Sequence, residues 1–284
     1  MPTFLKHLLG NILEEFEISK LTSSFDIIGD IVIMKIPETL FGKRRTIGKA
    51  ILDNIKPARS IYMQTSPVVG DHRIRKLELI AGEDNPVTVY KEYGCHFVVD
   101  VEHTYFSPRL STERLRIARQ ASDNEVVTNM FAGVGTFSIV LCKFRNMKKV
   151  YNVDINQVAN ELSIHNSRLN KMEDKIECFC GDAKEIIASH IQGESNRVLM
   201  PLPERAQFFV KDAVKSLENR KGIIHYFLHV RANSKNLAVE VGRLDTAYAF
   251  REYSHDILFL HVVREVGPRL YQLVSDVLIK KGTD

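Results

Sequence analysis

Leu5, Leu8, Leu9, Ile12, Leu13 and Phe16 recur three and four positions apart, so the chain is expected to open on an amphipathic helix with one apolar stripe. The next apolar segment, SFDIIGDIVIMKIP, is a β-rich run closed by Pro37, and GKRRTIGKAILDNI returns to helical spacing. SIYMQT, KLELIAGE, VTVYKEYG and CHFVVDV follow as short strands with turn residues between them. To residue 104 the pattern predicts a small α+β domain.

From residue 105 the pattern changes. A helix, STERLRIARQA, with Ser111 or Thr112 as its expected N-cap, leads into alternating strands and helices. The strands are EVVTNMF, KVYNVDI, IECFCGD, NRVLM, GIIHYFLHV, DILFLHVVREV and LYQLVSDVLIK; the helices between them include NQVANELSIHNSRLNKM and ERAQFFVKDAVKSLEN. This alternation predicts a mostly parallel, doubly wound α/β sheet over residues 105–284. The last two strands follow closely around Gly267-Pro268, which makes the final strand antiparallel, the Rossmann-like arrangement of class I methyltransferases.

Composition narrows the class. The 284 residues are 44% hydrophobic and 26% charged, enough for a core that needs no disulfide or metal. Cys95, Cys142, Cys178 and Cys180 lack zinc-site spacing; Cys178 and Cys180 share one face of a strand-like run, which predicts small core residues in a reducing compartment. No apolar run is long enough to span a bilayer, and Glu14, Glu15 and Glu17 interrupt the early apolar stretch, so a soluble cytoplasmic protein is expected. A net charge of +4 admits a nucleic-acid partner without requiring one. Basic residues cluster at Lys43-Arg44-Arg45, at Arg73-Arg75-Lys76, and at Arg109, Arg114, Arg116 and Arg119; each cluster alone reads as a solvated face.

Candidate chemistry concentrates in VVTNMFAGVGTFSIVLCKF, residues 126–144, which reads as strand, glycine-spaced turn and helix start. Ala132-Gly133-Val134-Gly135-Thr136 lacks the G-K-[ST] ending of a Walker loop, which excludes that loop, and lacks the third glycine of G-x-G-x-x-G, which weakens a dinucleotide reading. In a doubly wound sheet, ligands bind at the carboxyl ends of the strands. One strand on, VYNVDIN ends in Asp154, whose carboxylate can accept hydrogen bonds from both hydroxyls of a ribose. One strand further, Gly181-Asp182-Ala183 offers a carboxylate to the exocyclic amine of adenine. Asp154 or Asp182 alone would be an ordinary loop carboxylate; three such positions on successive strand ends favour S-adenosylmethionine.

Longer phrases around these residues resemble the archaeal and eukaryotic tRNA guanine-N1-methyltransferases, which act on guanosine 37 beside the anticodon. The matching blocks are HRIRKLELIAGED (72–84), TYFSPRLSTERLRI (104–117), TNMFAGVGTFSI (128–139), VDIN with NSRLNKMEDKI (153–176), and RVLMPLPERAQFF (197–209). The phrase F-S-P-R-L-x-x-E-R ahead of M-F-A-G-V-G is the most specific. N1 of guanine carries a proton at neutral pH, so transfer to it needs a base, and a cation can steady the charge growing on O6. By resemblance, Glu113 is that base, Arg73 stabilises O6, Arg114 supports them, Tyr105 lines the site, and Arg109 lies near the methionine end of the cofactor. The resemblance adds Asn129, Phe131, Ile155, Ala183 and Pro201 to the cofactor contacts and places Pro203 beside the substrate. It further implies a tRNA anticodon stem-loop as partner, residues 1–104 as an RNA-positioning domain, and a monomer without metal or membrane.

Three departures stand out. The fourth strand, which commonly ends in N-L-P in this family, here reads Pro201-Leu202-Pro203, and proline donates no hydrogen bond. Asn129 stands where an aspartate is usual. Longer members carry a further small N-terminal domain that grips the outer corner of the tRNA, and this chain is expected to begin at the domain after it. The rival readings are a wybutosine-pathway enzyme acting on a modified G37 by methyl or aminocarboxypropyl transfer, a small-molecule methyltransferase, and a non-catalytic RNA-binding relative. Arg109-Leu110 and Phe137 side with the methyltransferases, because the aminocarboxypropyl enzymes carry F-S-P-A-N at that block.

Overall fold

The computed structural model describes residues 7–21, 25–66, 70 and 73–280; Leu5, Ser24 and His72, which belong to the readings above, lie outside them. The chain divides into two units, Met1–Arg109 and Leu110–Asp284.

In the first unit the opening stripe is not one continuous helix. The chain is helical over 7–9, turns over 10–12, and resumes as α1 (Glu15–Lys20). Glu14 and Glu17 close a capping box at this restart, which resets the helical phase. Leu9, Leu13, Ile18 and Leu21 are buried as a result, whereas Phe16 is 61% exposed and leaves the stripe. The β-rich run forms a hairpin, β1 (Phe25–Ile28) with β2 (Ile31–Met34). After it, α2 (Arg44–Asn54) crosses over so that β3 (Ser60–Gln64) pairs parallel to β2, and β4 (Leu77–Gly82) pairs antiparallel to β3. Ile47 and Ile51 of α2, one turn apart, pack with Val32, Ile61, Met63 and Ile80. A separate ladder joins β5 (Val87–Glu92) to β6 (Cys95–Asp100).

The second unit starts with α3 (Ser111–Gln120). Its N-cap falls on Leu110 with no side-chain cap bond, because a 3-10 turn over Pro108–Leu110 already feeds the helix; the expected Ser111 or Thr112 cap is not formed. The strands β7 (Val126–Asn129), β8 (Lys149–Asp154), β9 (Ile176–Cys180), β10 (Arg197–Met200), β11 (Gly222–Arg231), β12 (His255–Gly267) and β13 (Leu270–Ile279) form one sheet. Its order is β12-β13-β11-β10-β7-β8-β9, parallel from β9 to β11, with β13 antiparallel to both β11 and β12. The chain leaves β7 toward β8 and β9 and returns on the other side at β10, so the switch point opens between β7 and β10, where the glycine turn follows β7. Among the described residues no helix is long and apolar enough to cross a membrane.

The hydrophobic pattern does not predict the long helix Lys235–Ala249. Leu244 and Tyr248 are 71% and 68% exposed, which blurs the apolar stripe, and Gly242 sits mid-helix. A Cβ at Gly242 would lie 2.7 Å from the Leu273 side chain, so the glycine lets this helix lie close on β13. Cys95 is buried as expected; Cys180 is exposed, because β9 is an edge strand.

Candidate active site

The glycine turn is built from backbone. Gly133 and Gly135 have φ of +54° and +85°, conformations that disfavour side chains. Gly135 caps α4 (Thr136–Phe144), and a Cβ there would lie 2.7 Å from Ser163 Oγ of α5 (Gln157–Leu169). Asp154, closing β8, turns back on the same turn: its Oδ2 accepts the Gly133 N–H at 2.7 Å, and its Oδ1 accepts that of Asn156 at 3.0 Å. The next residue, Ile155, is 45% exposed, an apolar side chain at a strand end. Asp182 accepts the Lys184 N–H at 2.8 Å and caps α6 (Ala183–Ile186), whose first residue, Ala183, is buried. Phe131 packs edge-on against Phe209, with centroids 5.0 Å apart. Beyond β10, Pro201 is half-buried and Pro203 buried.

Beneath the turn runs a ladder of neutral polar side chains. Asn129 Nδ2 donates to Ser138 Oγ at 3.1 Å, the Ser138 hydroxyl donates to Asn152 Oδ1, and Asn152 Nδ2 donates to Ser163 Oγ at 2.9 Å. Asn129 is fully buried, and its Oδ1 has no hydrogen-bond partner among the described residues.

Glu113 and Arg114 lie side by side in the first turns of α3, and both are buried. Arg114 lays its guanidinium 5.9 Å from the centre of the Phe137 ring, in the first turn of α4. Glu113 Oε1 accepts Arg116 Nε at 2.8 Å and Nη2 at 2.6 Å, while its Oε2 lies 3.2 Å from His261 Nε2. Arg116 also forks onto Asp276, with Nη1 2.6 Å from Oδ2 and Nη2 2.9 Å from Oδ1. Asp276 pairs across the ladder with His225, whose Nδ1 is 2.6 Å from Asp276 Oδ1. The far nitrogen of His225 faces Arg197 Nη1 at 2.7 Å, and Arg197 is forked onto Glu125. An arginine can only donate, so His225 Nε2 must accept; His225 is neutral and donates from Nδ1 to Asp276. Burial, with the neighbouring arginine charges, lowers the His225 pKa despite the pull of Asp276. Burial alone would raise the Glu113 pKa, but the hydrogen bonds from His261 and Arg116 outweigh it and hold the carboxyl below its usual range. Asp276 is lowered too, its burial overcome by His225 and Arg116.

The remaining candidates lie in the first unit. Arg73 adopts the left-handed region at φ +53° and stacks 3.9 Å from the centre of the Tyr105 ring. Arg109 donates to Asp26 Oδ1 at 2.7 Å, with Arg75 3.6 Å from the other oxygen of the same carboxylate. Lys43 and Arg44 are ion-paired at 2.7 Å with Glu17 and Glu78 respectively, so that basic cluster is partly neutralised; Arg45 is exposed. A cavity of about 440 Å³ runs along α3, lined by Thr112, Leu115, Arg116, Arg119 and Gln120; none of the strand-end candidates lines it.

Comparison with known proteins adds a family to this geometry. The model of the TRM5/TYW2 methyltransferase domain matches residues 88–247, and that of the TYW2 N-terminal domain matches residues 5–85. The chain belongs to the TRM5/TYW2 family. It is 36% identical over 281 residues to the tRNA (guanine(37)-N(1))-methyltransferase Trm5b of Methanocaldococcus jannaschii, covering 99% of this chain and 78% of that protein. It is 31% identical over 277 residues to the tRNA 4-demethylwyosine(37)-methyltransferase Taw21 of Saccharolobus solfataricus, covering 96% of this chain and 99% of that one. A solved complex of aTrm5 with tRNALeu superposes with a TM-score of 0.84 at 34% identity, covering 98% of this chain and 78% of that one.

Within the TRM5/TYW2 frame the structure gathers the glycine turn, Asp154, Ile155 and Asp182 at neighbouring strand ends of the second unit, which also carries Glu113 and Arg114. Arg73, Tyr105 and Arg109 belong to the first. Sequence reasoning missed Asp276, His225, His261 and Arg197 as members of the network beside α3. A signal was available for two of them: His225 and Asp276 are titratable residues inside largely apolar strands, where such groups stay only if paired, whereas Arg197 opens its strand and His261 lies in a strand with several other charged residues.

Proposed function

We propose that the chain methylates N1 of guanosine 37 in tRNA with S-adenosylmethionine as the methyl donor. The observation that carries this reading is the join between two elements: Arg114, beside Glu113, packs on Phe137 directly after the glycine turn. A carboxylate able to take a proton therefore sits on a helix braced against the cofactor's expected seat. The residues there suit an adenosyl group. The turn lets backbone approach closely, Asp154 offers acceptors to ribose hydroxyls, Ile155 exposes an apolar face to a purine, and Asp182 brings a carboxylate to the adenine edge.

The bound cofactor supplies an electrophilic methyl group. Glu113, ionised because Arg116 and His261 hold it so, accepts the N1 proton. Arg73, steadied by Tyr105, offsets charge developing on O6. Arg114 braces the helix, Arg109 serves the methionine end of the cofactor, and the first unit positions the RNA, in a cytoplasmic monomer without metal. The test is incubation with labelled S-adenosylmethionine and transcripts bearing G37 or A37, followed by nucleoside mass spectrometry. 1-Methylguanosine on the G37 transcript alone supports the reading; no product on unmodified G37 overturns it.

A second reading has its own observations. Pro201 stands where the family resemblance implies an asparagine amide, and the alignment with Taw21 runs over 99% of that protein. Both suit a substrate in which guanosine 37 has already been converted to 4-demethylwyosine. Methylation of such a tRNA, with none on G37, would select this alternative.

A further inference from the structure

A glutamate side chain has three rotatable bonds, and a general base must hold one oxygen within hydrogen-bond reach of the proton it takes. Arg116 fastens only Oε1 of Glu113, through two N–H groups. Arg116 is itself fixed by Asp276, Asp276 by His225, and His225 by Arg197, so that side of the carboxylate is anchored in the sheet. Oε2 has a different partner. His261 reaches it from β12, with Nε2 at 3.2 Å. The groups facing Glu113 are thus Arg116 from its own helix, Asp276 and His225 behind Arg116 from β13 and β11, and His261 from β12.

His261 is not built like a structural histidine. Its Nδ1 is buried with no hydrogen-bond partner among the described residues, its side chain is 31% exposed, and its one described hydrogen bond goes to Glu113. Phe259 packs on its ring at 4.9 Å and lies 5.1 Å from the Arg116 guanidinium, so one aromatic face aligns both groups that grip the carboxylate. We infer that His261 is a positioning residue for methyl transfer, holding Oε2 of Glu113 in the orientation that meets the N1 proton while Arg116 holds Oε1. The inference rests on Glu113 being the base.

The test is single-turnover methylation across pH, at saturating cofactor and tRNA, with wild type, Glu113→Gln, His261→Ala, His261→Asn, His261→Gln and the double variant Glu113→Gln/His261→Ala. Cofactor affinity by calorimetry and the thermal unfolding midpoint report folding. His261→Ala should slow the chemical step about tenfold or more with tRNA affinity unchanged, as expected for a misplaced base. Its acid limb should move to higher pH, because Glu113 loses the hydrogen bond that helps keep it ionised. His261→Gln, which can still donate to Oε2, should recover most of the rate and the limb, whereas the shorter His261→Asn should not. The double variant should be no slower than Glu113→Gln, since His261 acts through Glu113. If Glu113→Gln is slow while His261→Ala and His261→Asn keep the wild-type rate and limb, His261 only packs and the inference falls. It falls equally if the two losses multiply in the double variant. A Glu113→Gln enzyme as fast as wild type removes the base itself, a separate result that ends the parent reading.

Discussion

The two polar networks of the catalytic unit solve different problems. Under the glycine turn, Asn129, Ser138, Asn152 and Ser163 form a ladder without a formal charge. Beside α3, Glu113, Arg116, Asp276, Arg197 and Glu125 form ion pairs, joined through the neutral His225. The neutral ladder ties β7, α4, β8 and α5 together through side chains and brings no formal charge near the sulfonium expected there. The ionic chain keeps a buried carboxylate deprotonated, which burial alone opposes. Neutral hydrogen bonds suffice to tie elements together; holding a buried group in its charged form takes opposite charge.

That contrast can be broken at its ionic end first. Asp276→Ala strands Arg116 beside a single carboxylate and leaves His225 without its acceptor, and removing one partner of a buried ion pair costs about 3–5 kcal/mol. Denaturant unfolding should show that loss, against about 1–3 kcal/mol for Asn152→Ala in the neutral ladder. Equal losses would erase the distinction.

Glu113→Gln keeps the shape of the ionic network but removes the proposed base. Methyl transfer should slow about a hundredfold or more, with cofactor and tRNA affinity retained, in single-turnover assays. On the neutral side, Asp154→Ala removes the acceptor that holds Gly133 and would receive ribose, so calorimetry should show S-adenosylmethionine binding weakened by about 1–3 kcal/mol without tRNA present. Unchanged affinity would move the cofactor elsewhere.

Acid should separate the networks as well. His225 is held neutral with a lowered pKa, whereas an unfolded histidine takes up a proton near pH 6.5, at about its model value. The unfolded chain then binds the extra proton, and stability should fall as pH drops from about 7 to 5. Asp276 and Glu113 are lowered too, so their contributions are complete above the ordinary carboxylate range, about pH 4, and fade only below it. Unfolding midpoints at the two pH values should differ in wild type and converge in His225→Gln. The smallest effect is expected at Pro201→Asn. Restoring one neutral hydrogen bond is worth about 0.5–1.5 kcal/mol at most, so G37 methylation should be unchanged or modestly faster. A large gain would mark this strand end as a determinant of substrate choice.

Much of this site was legible along the chain because its parts are local. The glycines at 133 and 135, Asp154 after a strand and Asp182 before a helix each announce a backbone event within a few residues, and backbone geometry is read at short range. The ionic chain was not legible in that way. Arg116 and Glu113 are three apart on one helix, a spacing that signals a pair, but Asp276 lies 160 positions from Arg116 and 51 from His225. An isolated charge in LYQLVSDVLI predicts only that some partner exists.

The sequence by itself determined the parallel sheet with its reversed last strand and the strand ends where a nucleoside is expected to bind, because alternation, glycine turns and terminal carboxylates are properties of short segments. Only the tertiary structure decided which oxygen of Glu113 meets Arg116 and which meets His261, that His225 is neutral, and that Lys43 and Arg44 are partly neutralised by carboxylates of their own unit. Side-chain charge is set by whichever groups packing brings within a few ångströms, and that distance has no fixed relation to separation along the chain.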